Sequence, residues 1–283
     1  MLEGKIININ KNRYSVVFDE NVYYCSVRGK LRFEKTIPTV GDNVIFNKEK
    51  CVIERILNRK NYLLRPNVAN VDAALIITSV KKPDLDLNLL DKLLSVIIFN
   101  KIKPIICFTK LDLLNKEELE KFNLIRIYYE KYFDVVDNTN IYEIEKLLSK
   151  KIVVLTGQTG AGKSSLINKL CPNLNLKTNE ISFALGRGVH TTRMVSLYKV
   201  NDFYVCDTPG FSSLSLDNMT KEDLKNSFLD FKYYPCKYND CDHINTDGCN
   251  IEKNKDLLLS RYENYKSFIG EINENSSKLF SKR

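Results

Sequence analysis

The order of three nucleotide signatures along this chain restricts its fold more than any other feature. Gly157-Gln158-Thr159-Gly160-Ala161-Gly162-Lys163-Ser164 satisfies G-x-x-x-x-G-K-[ST] at every fixed position. Asp207-Thr208-Pro209-Gly210 follows it at the usual distance. Thr109-Lys110-Leu111-Asp112 has the form of a base-reading segment, yet it precedes the phosphate loop instead of following it. Familiar parts in rotated order read as a circularly permuted α/β nucleotide-binding domain. Such a rearrangement costs little when the natural termini lie close together on the surface. It also determines which flanking segments are wired to the nucleotide loops.

The chemistry of each signature follows from its residues. The glycines of a phosphate loop let successive backbone N–H groups curl around phosphate oxygens, with a helix N-terminus behind them. Lys151-Ile152-Val153-Val154-Leu155 reads as the strand before the loop, and Ser165 to Leu170 as the helix after it. Lys163 is expected on the β- and γ-phosphates and Ser164 on Mg²⁺, with Ser165 completing the nucleotide-binding set. Asp207 follows the strand-like Phe203-Tyr204-Val205-Cys206, as a Mg²⁺-facing acid should, and Gly210 would offer its N–H to the γ-phosphate. The Asp112 carboxylate can accept from guanine N1–H and the 2-amino group together, while the Lys110 stem packs along the base. Adenine lacks that donor pair, so GTP is expected over ATP, with GDP as product. Alone, the four-residue string could also be a Lys and an Asp that merely end a strand.

Gly186-Arg187-Gly188-Val189-His190-Thr191-Thr192-Arg193 lies where a switch loop belongs. Either Thr191 or Thr192 would complete the Mg²⁺ shell when the γ-phosphate is present. Phe211 follows Gly210, where many GTPases carry a water-orienting Gln; Phe cannot hydrogen-bond a water. Unaided hydrolysis is therefore expected to be slow. The catalytic set then comprises Lys163, Thr191, Thr192 and His190, which is one of only two histidines in the chain. A His that simply packs or faces solvent is the competing reading.

The flanks differ in character. Residues 1–65 hold 13 Lys and Arg against 7 Asp and Glu, most of the chain's net charge of +8. Short alternating strands such as Lys5–Ile9, Tyr14–Phe18, Asn21–Val27, Asn43–Phe46 and Cys51–Ile56 suit a small closed barrel of the OB type. Arg28, Lys30 and Arg32, with Tyr23, Tyr24 and Phe33, make a basic and aromatic surface suited to RNA. About half of those aromatics are expected in the barrel core, because inward positions alternate along a strand. Residues 66–213 alternate buried strands with helical spacings, as in an α/β sheet. Residues 214–283 read as mostly helical, and Cys236, Cys241, His243 and Cys249 spell C-x4-C-x-H-x5-C. Three thiolates and an imidazole suit a closed, structural Zn²⁺ site. Eight Cys in 283 residues are no disulfide scaffold, no apolar run approaches the roughly 18–20 residues of a membrane span, and the N-terminus lacks a signal-peptide core, so a cytoplasmic protein is expected.

Together these motifs resemble the ribosome small subunit-dependent GTPase A family over nearly the whole chain. Val27-Arg28-Gly29-Lys30-Leu31-Arg32 and Val40-Gly41-Asp42 are similar to its OB-fold signatures, and residues 59–72 to its domain junction. The permuted order, Gly-Arg-Gly-x-His-Thr-Thr and the Cys/His cluster agree. The resemblance implies an OB-fold, a permuted GTPase domain and a zinc-bearing C-terminal domain. It implies GTP hydrolysis stimulated by the small ribosomal subunit and a role in late maturation of that subunit. The subunit and its 16S rRNA are the expected partners, and a monomer is expected. Two positions depart from the family pattern: residues 136–140 stand where a Ser-Ala-Lys-like guanine loop belongs, and Thr109 replaces Asn. Two rival readings remain, a small-molecule kinase using ATP and an RNA-binding module with a vestigial nucleotide site. Asp112 argues against the first, and intact Lys163, Ser164 and Asp207 against the second.

Overall fold

Alternation of apolar and polar residues in the N-terminal segments produces strands, and in the later segments helical spacing and N-caps produce helices. A computed structural model describes residues 1–29, 37–64, 67–170, 195–207, 215–255 and 260–280. The strands are β1 (Leu2–Asn10), β2 (Arg13–Phe18), β3 (Asn21–Val27), β4 (Asn43–Asn47), β5 (Val52–Ile56), β6 (Tyr62–Leu64), β7 (Asn67–Ala69), β8 (Ala73–Ser79), β9 (Lys103–Thr109), β10 (Asp134–Asp137), β11 (Ile152–Gly157), β12 (Ser196–Val200) and β13 (Phe203–Asp207). The described helices are α1 (Leu87–Phe99), α2 (Lys116–Glu130), α3 (Ile141–Leu148), α4 (Lys163–Leu170), α5 (Lys221–Ser227), α6 (Asn250–Lys253) and α7 (Arg261–Phe280). Thr220 caps α5 and forms a capping box with Asp223.

The chain forms two compact units. The first gathers Met1–Leu75, Asn140–Thr156 and Lys163–Ser212; the second gathers Ile76–Thr139, Gly157–Gly162 and Ser213–Arg283.

In the first unit, β1 pairs with β2 and β4, β2 with β3, and β4 with β5, all antiparallel, while β3 pairs with β5 in parallel. That closes a five-stranded barrel with the strand circuit of an OB-fold. Ile6, Val16, Cys25, Val44, Phe46 and Ile53 fill it. Beyond the barrel, Asn8 of β1 faces Ser196 of β12, and its side-chain amide donates to the Ser196 hydroxyl at 2.8 Å. From there the order is β12, β13, β11 and the start of β8. β11 and β13 are parallel, and β12 and β13 antiparallel.

The Val40-Gly41-Asp42 motif has a local cause. Gly41 has φ +90°, and a Cβ there would lie 2.0 Å from the Ala69 carbonyl oxygen. No residue but Gly fits such an approach. The Asp42 carboxylate is fully buried and accepts from Arg59 Nε at 2.7 Å and Nη2 at 2.8 Å. This bidentate pair ties the barrel to the segment that leads toward β6.

In the second unit the rest of β8, β9 and β10 lie side by side, with β9 and β10 parallel. β9 is buried over Pro104–Thr109, as a strand covered on both faces must be. α1, α5 and α7 pack together around Leu90, Leu94, Leu224, Phe228, Tyr265 and Phe268. No helix among the described residues is long and apolar enough to cross a membrane.

Candidate nucleotide and metal sites

The phosphate loop belongs to the second unit from Gly157 to Gly162. Gly157, Gly160 and Gly162 have φ of +129°, +79° and +94°. At Gly157 a Cβ would stand 1.9 Å from the Ile77 carbonyl oxygen, so both backbone angle and space demand glycine. Ala161 N–H closes the loop on Gln158 O at 3.2 Å, and the Gln158 amide donates to Asp84 O at 3.2 Å.

The upstream segment Thr109–Asp112 meets this loop. Thr109, at the buried end of β9, donates its hydroxyl to Ala161 O at 2.7 Å. Lys110 adopts the left-handed conformation, φ 63°, and its ammonium donates to Gly160 O at 2.8 Å and to Lys82 O. Thr in place of Asn thus retains a short donor aimed at the loop backbone. Asp112 follows on a 3-10 turn, Leu111–Leu113, with its side chain exposed and accessible to a base.

In the first unit Lys163 opens α4, half-buried, and burial lowers its pKa from the ordinary lysine value. An ammonium held against desolvation gains from a phosphate partner. Ser164 is half-buried beside it, and Ser165 is exposed. Asp207 ends β13, paired with Ser196 of β12. Of the remaining expected residues, His190, Thr191, Thr192 and Gly210 lie outside the described residues, as do Phe211, Lys30, Arg32 and Phe33.

Residues 136–140 close on themselves. The Asp137 carboxylate accepts from Thr139 N at 3.2 Å and from its hydroxyl, Asn138 N donates to Phe108 O at 3.0 Å, and Asn140 caps α3. The barrel's aromatics divide as expected. Tyr23 packs on Phe46 at 5.3 Å between centroids, whereas Tyr24 is 63% exposed. Arg28 is exposed and pairs with Glu54 at 2.6 Å.

The Cys/His cluster lies wholly within the second unit. Ligand atoms of Cys236, Cys241, His243 and Cys249 all fall within 4.8 Å of one another, and three of the four residues are buried. Cys236 Sγ stands 3.4 Å from His243 Nδ1 and 3.8 Å from Cys249 Sγ. Backbone N–H groups of Asn250 and Glu252, at the start of α6, point at the Cys236 and Cys249 sulfurs at 3.3 and 3.4 Å. Burial alone would raise the Cys236 thiol, but N–H groups of Ile251 and Asn250 hold it below its ordinary value. Burial, then the Lys225 ammonium, lowers the His243 imidazole to about 4, so the ring is neutral at pH 7. Phe231 and Tyr265 wall the imidazole at 5.4 and 6.0 Å. Three sulfurs and a neutral ring nitrogen this close, with their N–H donors already in place, fit a tetrahedral dication of the Zn²⁺ type.

A glycine-rich phosphate loop, an upstream segment that grips it, and a sheet whose β8 to β10 precede the loop strand in sequence define a circularly permuted P-loop GTPase. The family profile described as RsgA GTPase matches residues 56–217, and the profile for the RsgA N-terminal domain matches residues 3–51. The chain belongs to the RsgA GTPase family. It is 40% identical to Small ribosomal subunit biogenesis GTPase RsgA 2 of Oceanobacillus iheyensis, covering 96% of this chain and 98% of that protein. It is 41% identical to Small ribosomal subunit biogenesis GTPase RsgA of a Geobacillus species, covering 97% and 98%. Among solved structures it resembles YjeQ from Thermotoga maritima, with TM-score 0.83 and 30% identity over 95% of this chain and 98% of that one. It also resembles YloQ, described as a circularly permuted GTPase, with TM-score 0.79 and 31% identity over 96% and 95%.

Sequence reasoning missed several residues that organise these sites. Lys81, Lys82 and Asp84 carry no motif, yet each bonds to a part of the nucleotide machinery or its supports. Asp91 and Asp230 are charged residues within apolar helical spacings, a signal that could have marked them as buried partners of Arg261.

Proposed function

We propose that this chain hydrolyses GTP to GDP and phosphate while engaged on the small ribosomal subunit, assisting its late maturation, and that the subunit stimulates the reaction. The observation that carries this reading is the pair of hydrogen bonds from Thr109 and Lys110 to the carbonyls of Ala161 and Gly160. A base-reading segment and a phosphate loop 52 and 50 residues apart in sequence are thereby held as one nucleotide cradle. Family membership and the names of the relatives support the ribosomal role.

The roles follow from donor chemistry. Backbone N–H groups of residues 157–165 bind the phosphates, and Lys163 neutralises charge that develops on them. Asp112 and Lys110 select and stack guanine. Ser164 and Asp207 would hold Mg²⁺, which supplies charge neutralisation at the β- and γ-phosphates; Thr191 or Thr192 would join them in the GTP state. Gly210 N–H would meet the γ-phosphate. His190 would orient the water that Phe211 cannot. Cys236, Cys241, His243 and Cys249 would hold a structural Zn²⁺. Arg28, Lys30 and Arg32 on the barrel would contact 16S rRNA phosphates. The working division is an RNA-binding barrel over 1–65, the permuted GTPase over 66–213 and the zinc-bearing helical part over 214–283. The protein acts in the cytoplasm as a monomer.

GTP turnover measured alone, with small subunits and with large subunits tests the proposal. Strong stimulation by the small subunit only is expected, and no stimulation by either would overturn it. In the same assay His190→Ala should keep GTP affinity and lose the stimulation; unchanged turnover would remove His190 from the mechanism.

A further inference from the structure

We propose that Lys81 and Glu118 are positioning residues for guanine recognition, holding Asp112 at the angle its bidentate contact requires. This rests on the reading of Asp112 as the carboxylate that binds guanine. The six residues Lys110–Asn115 join the end of β9 to α2 and have little regular structure of their own. Only Leu113 N to Lys110 O and Leu114 N to Leu111 O, both 3.1 Å, brace the turn internally. Asp112 stands at its crest, exposed. A carboxylate so placed needs its flanks anchored, because donor alignment fails when a binding group drifts by about 0.5 Å.

Both flanks are anchored to one dipeptide. At the front, the Lys110 ammonium donates to the Lys82 carbonyl. At the back, the Lys81 ammonium bridges both oxygens of Glu118 at 2.7 Å each. Glu118 is also the N3 residue of α2. Its carboxylate accepts from Asn115 N–H at 2.9 Å, while its own N–H donates to the Asn115 side chain at 2.9 Å. Lys81 therefore clamps the residue that fixes where α2 begins, and so where the Asp112 turn ends. The residue before this dipeptide is tied to the end of β9, since Val80 N–H donates to Thr109 O at 3.1 Å.

Exposed ion pairs contribute little to global stability, typically about 0–1 kcal/mol. This one, with side chains 30% and 38% exposed, has a more specific geometric consequence, since it sets the pitch of the base-reading turn. The substrate feature it serves is the guanine 2-amino group, the donor that hypoxanthine lacks.

The test compares GDP with inosine diphosphate, which keeps the diphosphate and N1–H but loses the 2-amino group. Titration calorimetry on the full chain would use Lys81→Met, Glu118→Gln and Lys81→Arg. Glu118→Gln keeps an oxygen acceptor for Asn115 N–H and removes the charge. Lys81→Met and Glu118→Gln should weaken GDP roughly three- to tenfold while inosine diphosphate changes less, so that discrimination narrows. Lys81→Arg, whose guanidinium can also grip both oxygens, should restore it. Discrimination unchanged in both variants, or both nucleotides weakened equally, would overturn the proposal. Asp112→Asn, run alongside, should exchange GDP for xanthosine diphosphate. If it does not, the guanine reading itself is wrong and the proposal falls with it, a result distinct from failure of the Lys81 clamp alone.

Discussion

Arg261 and Asp230 meet as a buried bidentate pair: Nη2 lies 2.6 Å from Oδ1 and Nε 2.8 Å from Oδ2. Nη1 of the same guanidinium reaches Asp91 Oδ1 at 2.6 Å. Tyr128 donates to Asp230 at 2.7 Å, Tyr129 to Asp91 at 2.6 Å, and Asn264 Nδ2 to Asp91 at 2.7 Å. One face of the guanidinium covers the Phe228 ring at 4.3 Å. α1, α2, the turn Leu229–Tyr233 and α7 all contribute, so this polar knot joins the helical C-terminal part to the helices beside β8 and β9.

Removing the cation should be costly, because two carboxylates would remain buried against each other. Arg261→Met is expected to destabilise the protein by about 3–5 kcal/mol, read as a lower urea midpoint. Arg261→Lys should recover only part of this, since an ammonium cannot span Asp91 and Asp230 with the same fork. A loss below about 1 kcal/mol would show the network to be dispensable.

Metal content should follow the four-donor set. The purified chain should carry one Zn²⁺, and a strong chelator should lower its melting temperature and open the segment from Cys236 to Cys249. Cys249→Ser or His243→Ala should reduce zinc content with GDP affinity largely retained. A chain free of metal, with an unchanged melting temperature under chelator, would remove the cluster from the list of metal sites.

The phosphate loop has no tolerance at its first glycine. Gly157→Ala would force φ +129° on a residue with a side chain and drive its Cβ to 1.9 Å from Ile77 O. Since something in β8 or the loop must shift, GTP affinity should fall by at least about 100-fold, roughly 3 kcal/mol. Near-normal affinity would mean that the loop relaxes freely.

Glu118 gives the protein a small acid limb. The Lys81 ammonium first, and the Asn115 N–H second, hold its carboxyl below the ordinary 4.5. A carboxylate depressed in the folded state contributes stability that is present above its ordinary value and is lost as pH falls through the folded one. Between about pH 6 and about pH 3 the parent protein should therefore lose slightly more melting temperature than Glu118→Gln does. Equal losses would argue against the Lys81 contact in solution.

Several motifs were legible in the sequence. The phosphate loop, Asp207, the order of the signatures and the Cys/His spacing are local strings whose chemistry depends on a few neighbouring residues. Five alternating strands pointed to the barrel. Arg261 carries no motif. That it is a buried cation depends on Asp91, 170 residues away, and Asp230, 31 residues away.

By itself the sequence determined the class: a permuted GTPase preceded in sequence by a five-stranded barrel and followed by a Cys/His-bearing helical segment. Motif order, glycine spacing and hydrophobic period are properties of the chain, and they survive any arrangement in space. Tertiary structure alone decided that the Thr109 hydroxyl reaches Ala161 O, and that three thiols and His243 Nδ1 share one small volume. It alone decided that Lys81 and Lys82 grip both ends of the Asp112 turn. Those facts are distances between residues far apart in sequence, set by how strands and helices pack, and no local period or motif encodes them.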